Sequence, residues 1–181
     1  MINIELYDIL MEDDVVESIN NNKKVLLNKI PELASMFNFS HHHPYYHLNV
    51  WEHTLLALKA SKKDFEVRLA LLLHDIGKPF CYQLDNGVRH YKGHNEISYR
   101  MSIIILNRLN LSDDLIKRVL YLILKHDIPI IKEDIIYDYE LSLKRFEVQR
   151  CDILAHNPNI LDKRKKYFED TKKLIYNNKT K

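Results

Sequence analysis

Glycine is rare in this 181-residue sequence, which contains only three. Tight turns between long strands commonly use glycine, so its scarcity argues against a large sheet and favours helices joined by short loops. With 46% hydrophobic and 29% charged residues, the chain resembles ordinary globular proteins rather than disordered ones. Its length suffices for one domain with its own core. We therefore expect a single-domain, all-α protein.

Cysteines and long hydrophobic runs are also scarce. The two cysteines, Cys81 and Cys151, lack the CxxC spacing of zinc and redox motifs, and a secreted disulfide scaffold would carry more of them. No apolar stretch approaches the roughly 18 residues that span a bilayer. The acidic N-terminus, with Glu5, Asp8 and Glu12, is unlike a secretory signal. We expect a cytoplasmic protein with two buried thiols and no membrane contact.

The net charge of +2 hides an uneven distribution. Residues 163–181 contain eight lysines and arginines against two acidic residues, whereas the rest of the chain is net acidic. Such a segment can attract RNA or anionic substrates, although a solvated helix face explains most runs of this kind. We divide the chain into a helical extension at residues 1–22, a main domain at residues 23–160 and a basic helix or tail at residues 161–181.

Hydrophobic periodicity predicts about seven or eight helices. The first is short and capped by Asp13 or Asp14, and the second covers residues 23–37 with a break or kink at Pro31. The third helix is predicted to start near Asn49, the fourth covers residues 64–76 and the fifth covers residues 94–109. The sixth starts at Ser112, the seventh covers residues 139–156, and the basic segment forms the last. A turn signal at residues 85–87 predicts a loop or a small hairpin between the fourth and fifth helices.

The helix predicted at residues 64–76 is apolar nearly all round, which is typical of a central buried helix. Its last residues include His74 and Asp75, and Gly77 and Pro79 are expected to stop it. An ionised carboxylate in an apolar setting is costly unless a cation or a metal ion compensates it. Asp75 therefore predicts a partner of opposite charge.

Polar groups also interrupt the apolar faces of four other predicted helices. These groups are His53, His94, His126 and Asp152. A single inward histidine is more often a hydrogen-bonded core residue than a metal ligand. Six polar groups on five helices, however, would leave many buried polar atoms without partners unless they converge. Converging imidazoles and carboxylates are typical of transition-metal sites.

The ordered pattern of His53, His74-Asp75, His94, His126 and Asp152 resembles the HD-domain superfamily of metal-dependent phosphohydrolases. From Ile30 to Asn157 the chain is similar to the HD region attached to bacterial tRNA nucleotidyltransferases and poly(A) polymerases. The matching segments are Ile30-Pro31-Glu32-Leu33, His43-Pro44-Tyr45, Val50 to Leu55, His74 to Pro79, Gly87, His90-Tyr91, Gly93-His94, Asp152 to Ala155 and Asn157-Pro158. The resemblance implies an HD-type helical bundle around the central helix.

The sequence departs from these relatives in three ways. It lacks the glycine-serine loop and the paired aspartates of the nucleotidyltransferase catalytic domain, so we expect it not to be the transferase itself. Many relatives have aspartate where this chain has Asn49, whose side-chain carbonyl can still cap a helix. No Glu-Asp pair follows His74-Asp75 shortly afterwards, which is unlike the guanosine-tetraphosphate hydrolases.

The resemblance implies one or two divalent transition-metal ions, of Mn, Fe, Co, Ni or Zn. His53, His74, Asp75 and Asp152 would hold the first, and His94 and His126 would hold a second that Asp75 bridges. Asp75 and Lys78 are the implied catalytic residues, because a metal-bound water becomes a hydroxide near neutral pH and a lysine stabilises charge on phosphoryl oxygens. The alternative for Lys78 is an interaction with the helix dipole.

We expect a phosphomonoesterase or phosphodiesterase that acts on a small phosphorylated substrate, such as a nucleotide or a cyclic phosphate. Candidate substrate contacts at the mouth of the pocket are His42, His43, His47, Arg89, His90 and Arg145, each of which is alternatively a plain surface residue. The second hypothesis is an HD module that binds RNA or tRNA, or has a regulatory role, and keeps a structural metal. The third is a purely structural helical domain with buried histidines.

Overall fold

The computed structural model describes residues 4–179, and within this range the chain is all-α apart from one small hairpin. The α-helices are α1 Ile4–Met11, α2 Val15–Asn21, α3 Lys23–Lys29, α4 Val50–Lys59, α5 Phe65–Leu73, α6 His94–Arg108, α7 Asp113–Lys125, α8 Lys132–Tyr137, α9 Tyr139–Leu154 and α10 Leu161–Asn177. Short 3-10 helices lie at Pro31–Met36, Lys78–Phe80 and Pro158–Ile160. The antiparallel strands are β1 Gln83–Asp85 and β2 Val88–His90.

The prediction of seven or eight helices was too low, because periodicity did not reveal the short helices α1 and α8. Asp14 caps α2, where its carboxylate accepts a hydrogen bond from the Glu17 amide, but α1 precedes it. Residues 23–37 form α3 and then a 3-10 helix rather than one kinked helix. Pro31 starts the 3-10 helix, a position where its missing N–H costs nothing.

Helix α5 is the centre of the molecule, as the sequence predicted. Every residue from Leu69 to Leu73 is completely buried, and the helix packs against α4, α7 and α9. Asp64 caps its first turn by accepting a hydrogen bond from the Val67 amide at 3.0 Å. The helix ends at Leu73, three residues earlier than predicted, and the chain then continues in turns through Gly77.

Gly77 allows α6 to lie against the end of α5. Its φ of −80° is open to any residue, so the backbone conformation does not require glycine here. A Cβ atom here would lie 2.6 Å from the Ser98 backbone nitrogen and 2.8 Å from the His94 carbonyl oxygen. The Gly77 amide instead donates a hydrogen bond to Ser98 Oγ at 3.0 Å. This close approach brings the first turn of α6 beside Asp75.

The remaining elements surround this centre. The hairpin turns at Asn86-Gly87, both with positive φ, as a tight two-residue connection requires. Helix α10 packs on α9 through a separate small apolar cluster that includes Ile130, Ile135 and Ile175. In the part of the chain that is described, none of the helices combines the length and the apolar character that crossing a bilayer needs.

Candidate metal centre

Five helices deliver the six predicted ligands to one buried point. His53 lies in α4, His74 and Asp75 directly follow α5, His94 begins α6, His126 caps the end of α7 and Asp152 lies in the last turn of α9. His53, His74 and Asp75 are completely buried, and the other three are nearly so or partly accessible. The structure therefore brings all six together, as the sequence predicted.

Asp75 lies between two groups of potential ligands, His53 with His74 and Asp152, and His94 with His126. Asp75 Oδ2 is 3.3 Å from His74 Nε2 and 3.7 Å from His53 Nε2. Its other oxygen, Oδ1, is 3.4 Å from His94 Nε2 and 3.9 Å from His126 Nε2. One oxygen thus faces each group, which is the arrangement that a bridging carboxylate requires.

The four histidines are held in one tautomer by the backbone. Each Nδ1 contacts a carbonyl oxygen, and because a carbonyl can only accept, each Nδ1 must carry the proton. The acceptors are the carbonyls of Ala155 for His53, Leu71 for His74, Tyr91 for His94 and Ile123 for His126. In the neutral imidazoles, all four Nε2 lone pairs therefore point at the carboxylates. Metal-binding histidines are commonly oriented by this same outer hydrogen bond.

The centre consequently holds more acceptors than donors. His94 Nε2 and His126 Nε2 face each other at 3.1 Å, and His53 Nε2 faces Asp152 Oδ1 at 2.8 Å. His74 Nε2 and Asp75 Oδ1 have no hydrogen-bond partner among the described residues. Acceptors that face one another need a proton or a metal ion between them. Mixed imidazole and carboxylate groups fit a divalent transition metal, so these residues could hold one or two such ions.

The pKa values of the histidines and carboxylates also favour a cation at the centre. Burial lowers the pKa of His94 to about 4 and also lowers that of His126, so both are neutral at pH 7. Burial acts against charge on His74 too, but the carboxylates of Asp75 and Asp152 raise its pKa to about 10. Burial likewise opposes ionisation of Asp75 and Asp152, yet neighbouring histidines and, for Asp75, Lys78 keep both pKa values well below the usual range. The two carboxylates thus attract positive charge to the centre.

Lys78 is the cation that the protein itself supplies. Its ammonium is buried and donates to Asp75 Oδ2 at 2.6 Å and to the Tyr46 hydroxyl at 2.9 Å. Burial alone would lower the pKa of Lys78, but the Asp75 carboxylate raises it above its usual range. When the histidines are neutral, as metal ligands must be, two carboxylates and one ammonium leave one negative charge, and a divalent ion would reverse that sign. Without an ion, the raised pKa of His74 lets that side chain carry a proton that offsets this charge.

Sequence reasoning missed three side chains beside the centre. His41 is buried, stacks on the Tyr46 ring at 3.7 Å and places Nε2 3.4 Å from Lys78 Nζ. His156 also packs against the Tyr46 ring, with 4.7 Å between the ring centroids, and its Nδ1 contacts the Asp152 carbonyl oxygen at 2.9 Å. His41 and Tyr46 lie in an irregular loop, and His156 follows the end of α9, so none of them belongs to a periodic stripe. The run of histidines at residues 41–43 was the available signal.

Only some of the substrate contacts that the sequence suggested lie beside the opening to the centre. His43 and His90 lie beside the opening to the centre, whereas His42 and His47 are exposed elsewhere on the same loop. Arg89 stacks over the Phe39 and Tyr82 rings and donates to the Ser40 carbonyl. Arg145 is buried and bonded to Asp134, so the structure does not bring it to the opening. Its placement as a phosphate contact needs correction, because its guanidinium is already surrounded by acceptors.

The fold and the centre together define a helical domain that gathers histidine and aspartate side chains at one buried point, where they could hold metal ions. The chain belongs to the HD domain family, whose sequence pattern matches residues 45–175. It is 31% identical over 132 residues to the CC-adding tRNA nucleotidyltransferase of Thermus thermophilus, covering 69% of this chain and 29% of that protein. It is 34% identical over 117 residues to the A-adding tRNA nucleotidyltransferase of Deinococcus radiodurans, covering 61% of this chain and 26% of that protein. The chain thus spans less than a third of either relative.

Proposed function

We propose that the protein is a metal-dependent phosphohydrolase that acts on a nucleotide, a cyclic phosphate or another small phosphoester. The observation that carries this proposal is the excess of inward-facing acceptor atoms around Asp75, which a divalent ion would satisfy. Membership of the HD domain family supports the same class of activity. A purely structural helical domain could place a proton on His74, whose pKa is raised, but it would still leave the neutral His94 and His126 with facing acceptor nitrogens in the core, which is costly.

His53, His74, Asp75 and Asp152 would hold one ion, and His94 and His126 with Asp75 would hold a second. A bound divalent ion of this kind lowers the pKa of its water toward neutrality and polarises a phosphoryl oxygen. The protein itself orients the ligands, because the backbone carbonyls fix the orientation of all four imidazoles without an ion.

Lys78 and the accessible edge of the centre would receive the phosphate. His94 and Asp152 are the ligands with the most accessible side chains, at 13% and 12%, so the phosphate would approach from their side. Lys78 lines the same opening and carries a fixed ammonium held by Asp75 and Tyr46. That cation would stabilise the charge that builds on the phosphoryl oxygens during hydrolysis.

The test joins elemental analysis with a hydrolysis screen. The purified protein is supplied with Mn²⁺, Ni²⁺, Co²⁺, Fe²⁺ or Zn²⁺ and offered nucleotides, cyclic nucleotides and para-nitrophenyl phosphate. We expect stoichiometric metal and hydrolysis with at least one ion, both lost in His74→Ala and kept in Asp85→Ala, which changes an exposed residue of the hairpin. Unchanged metal content in His74→Ala would contradict the assignment of His74 as a metal ligand. Inactivity with every ion would contradict the proposed hydrolase function.

A second candidate function is RNA or tRNA binding by an HD module with a structural metal. Its support is the exposed basic start of α10, with Arg164, Lys165 and Lys166, and the tRNA named for both relatives. Salt-sensitive tRNA binding that survives in His74→Ala would favour this function. Binding that is absent at low salt would exclude it.

A further inference from the structure

Two grooves meet at the candidate metal centre. The α10 arm has a volume of about 250 Å³ and is lined by Pro129, Gln149, Ile153, Arg164 and Tyr167 together with His126, Asp152 and His156. The hairpin arm has a volume of about 350 Å³ and is lined by His43, His90, Tyr91, Lys92 and Gly93. Both arms share Tyr45, Tyr46, Lys78, His94 and Asp127. The residues that would contact the phosphate therefore lie at the junction of the arms.

This position has a consequence for the substrate. A phosphate at Lys78 and His94 has room for an organic substituent in each arm, since both volumes are several times the ~30 Å³ share of a water molecule. A phosphomonoester carries only one substituent and would fill one arm. A phosphodiester carries two and would fill both.

The side chains of the arms indicate the kind of substituent. Each arm contains an aromatic residue, Tyr167 in one and Tyr91 in the other, and Tyr45 stands half-exposed at the junction. Each arm also contains an exposed cation, Arg164 or Lys92, for which no ion pair is found within residues 4–179. Aromatic faces combined with positive charge are what single-stranded nucleic acid binds, because bases stack and the backbone is anionic.

We propose that the cleft binds a single-stranded nucleic-acid segment, with the phosphodiester at the centre and one nucleoside in each arm. This substrate class rests on the proposed hydrolase function and narrows it. Hydrolysis adds one water: its oxygen bonds to phosphorus, the bond from phosphorus to one sugar oxygen breaks, and a proton ends on the released hydroxyl. The products are a nucleotide and a free nucleoside end.

The experiment compares a substrate that fills both arms with substrates that fill one. We measure kcat/KM for uridylyl-(3′,5′)-uridine and for uridine 3′- and 5′-monophosphates, with the ion that activates the wild-type protein. The dinucleotide is expected to be preferred by about tenfold or more, the equivalent of one charge-assisted hydrogen bond. A mononucleotide that is hydrolysed as well as the dinucleotide, or better, overturns the proposal.

Variants of the arms sharpen the comparison. Arg164→Ala and Lys92→Ala should each reduce the preference for the dinucleotide by about tenfold, because a mononucleotide can use whichever arm is intact. Arg100→Ala and Lys117→Ala, which change exposed cations outside both arms, should leave the preference unchanged. An unaltered preference in both arm variants also overturns the proposal.

The two proposals fail in distinguishable ways. Hydrolysis of para-nitrophenyl phosphate without dinucleotide preference removes the nucleic-acid proposal and leaves the hydrolase intact. If no substrate is hydrolysed with any ion, the hydrolase fails, and equilibrium binding of fluorescently labelled dinucleotide and mononucleotide decides the nucleic-acid proposal. Tighter dinucleotide binding that weakens in Arg164→Ala and Lys92→Ala supports it, and equal binding overturns it.

Discussion

Two of the buried charged residues of helix α9, Arg145 and Asp152, have surroundings that are built in opposite ways. The Arg145 guanidinium donates to Asp134, to the Tyr121 hydroxyl and to three backbone carbonyls between residues 125 and 129. Asp152, two turns later, lies 2.8 Å from His53 Nε2 and 3.5 Å from His74 Nε2, nitrogens that are acceptors when the imidazoles are neutral. A buried charge whose partners the chain supplies supports the fold. A buried charge whose partners are missing points to a ligand.

The largest expected effect comes from removing a carboxylate of the candidate metal centre, where the chain does not supply all the partners. Asp75→Ala removes the carboxylate that faces both groups of histidines, so metal content should fall to background and hydrolysis should drop by about 10³-fold or more. Elemental analysis and kcat/KM check both outcomes. Asp85→Ala, an exposed aspartate of the hairpin, is the matched control and should change neither. Full metal content in Asp75→Ala would show that Asp75 is not a ligand.

Removing Arg145, whose partners the chain itself supplies, should affect stability instead. Arg145→Met removes the buried cation and leaves Asp134 and several carbonyls without their donor, so the free energy of unfolding should fall by about 3–5 kcal/mol. Metal content per folded molecule should stay unchanged, because none of these bonds reaches the histidines. Urea unfolding and elemental analysis measure the two effects, with exposed Arg100→Met as the control. Loss of metal without loss of stability would place Arg145 in the site.

The same contrast explains what the sequence could reveal. A polar residue on the apolar face of a helix is visible as a break in periodicity, and His53, His94 and His126 were found this way. The structure confirms that they converge with His74, Asp75 and Asp152. Their roles as metal ligands stay predictions.

Other residues could not be placed from a pattern. Arg145 was predicted to be a substrate contact at the mouth of the pocket, but the backbone carbonyls that hold it belong to a turn and leave no side-chain signal. His41 lies in a loop whose path depends on packing against Tyr46 and Lys78. Helices α1 and α3 were missed or merged because they are short, with eight and seven residues.

A smaller effect should separate the two groups of ligands. Gly77→Ala forces α6 away from α5, because its Cβ would contact the Ser98 nitrogen and the His94 carbonyl. The free energy of unfolding should fall by about 1–3 kcal/mol. Displacement of His94 should weaken the group that contains His126 more than the group that contains His53.

Metal titration of Gly77→Ala followed by calorimetry measures this difference. Gly87→Ala is the control: its φ of +80° makes the substitution unfavourable, but nothing lies within 4 Å of the added Cβ. It should cost about 1 kcal/mol and leave metal binding unchanged. Equal weakening of both groups in Gly77→Ala would mean that they act as one inseparable site.

The smallest effect belongs to an ion pair outside both buried sets, Glu32 with Arg108, which joins the Pro31–Met36 helix to the end of α6 through two contacts of 2.9 and 2.7 Å. Hydrogen bonding from Arg108 lowers the pKa of Glu32 below 4.5. Its stabilisation is therefore complete above pH 4.5 and is lost as the pH falls through the lowered value.

Because both side chains are partly exposed and solvent screens them, Glu32→Gln should cost at most about 1 kcal/mol at pH 7. Urea unfolding of wild type and variant from pH 7 down to about pH 3.5 should show the difference shrinking. A difference that stays constant with pH would mean that the pair contributes through packing rather than charge.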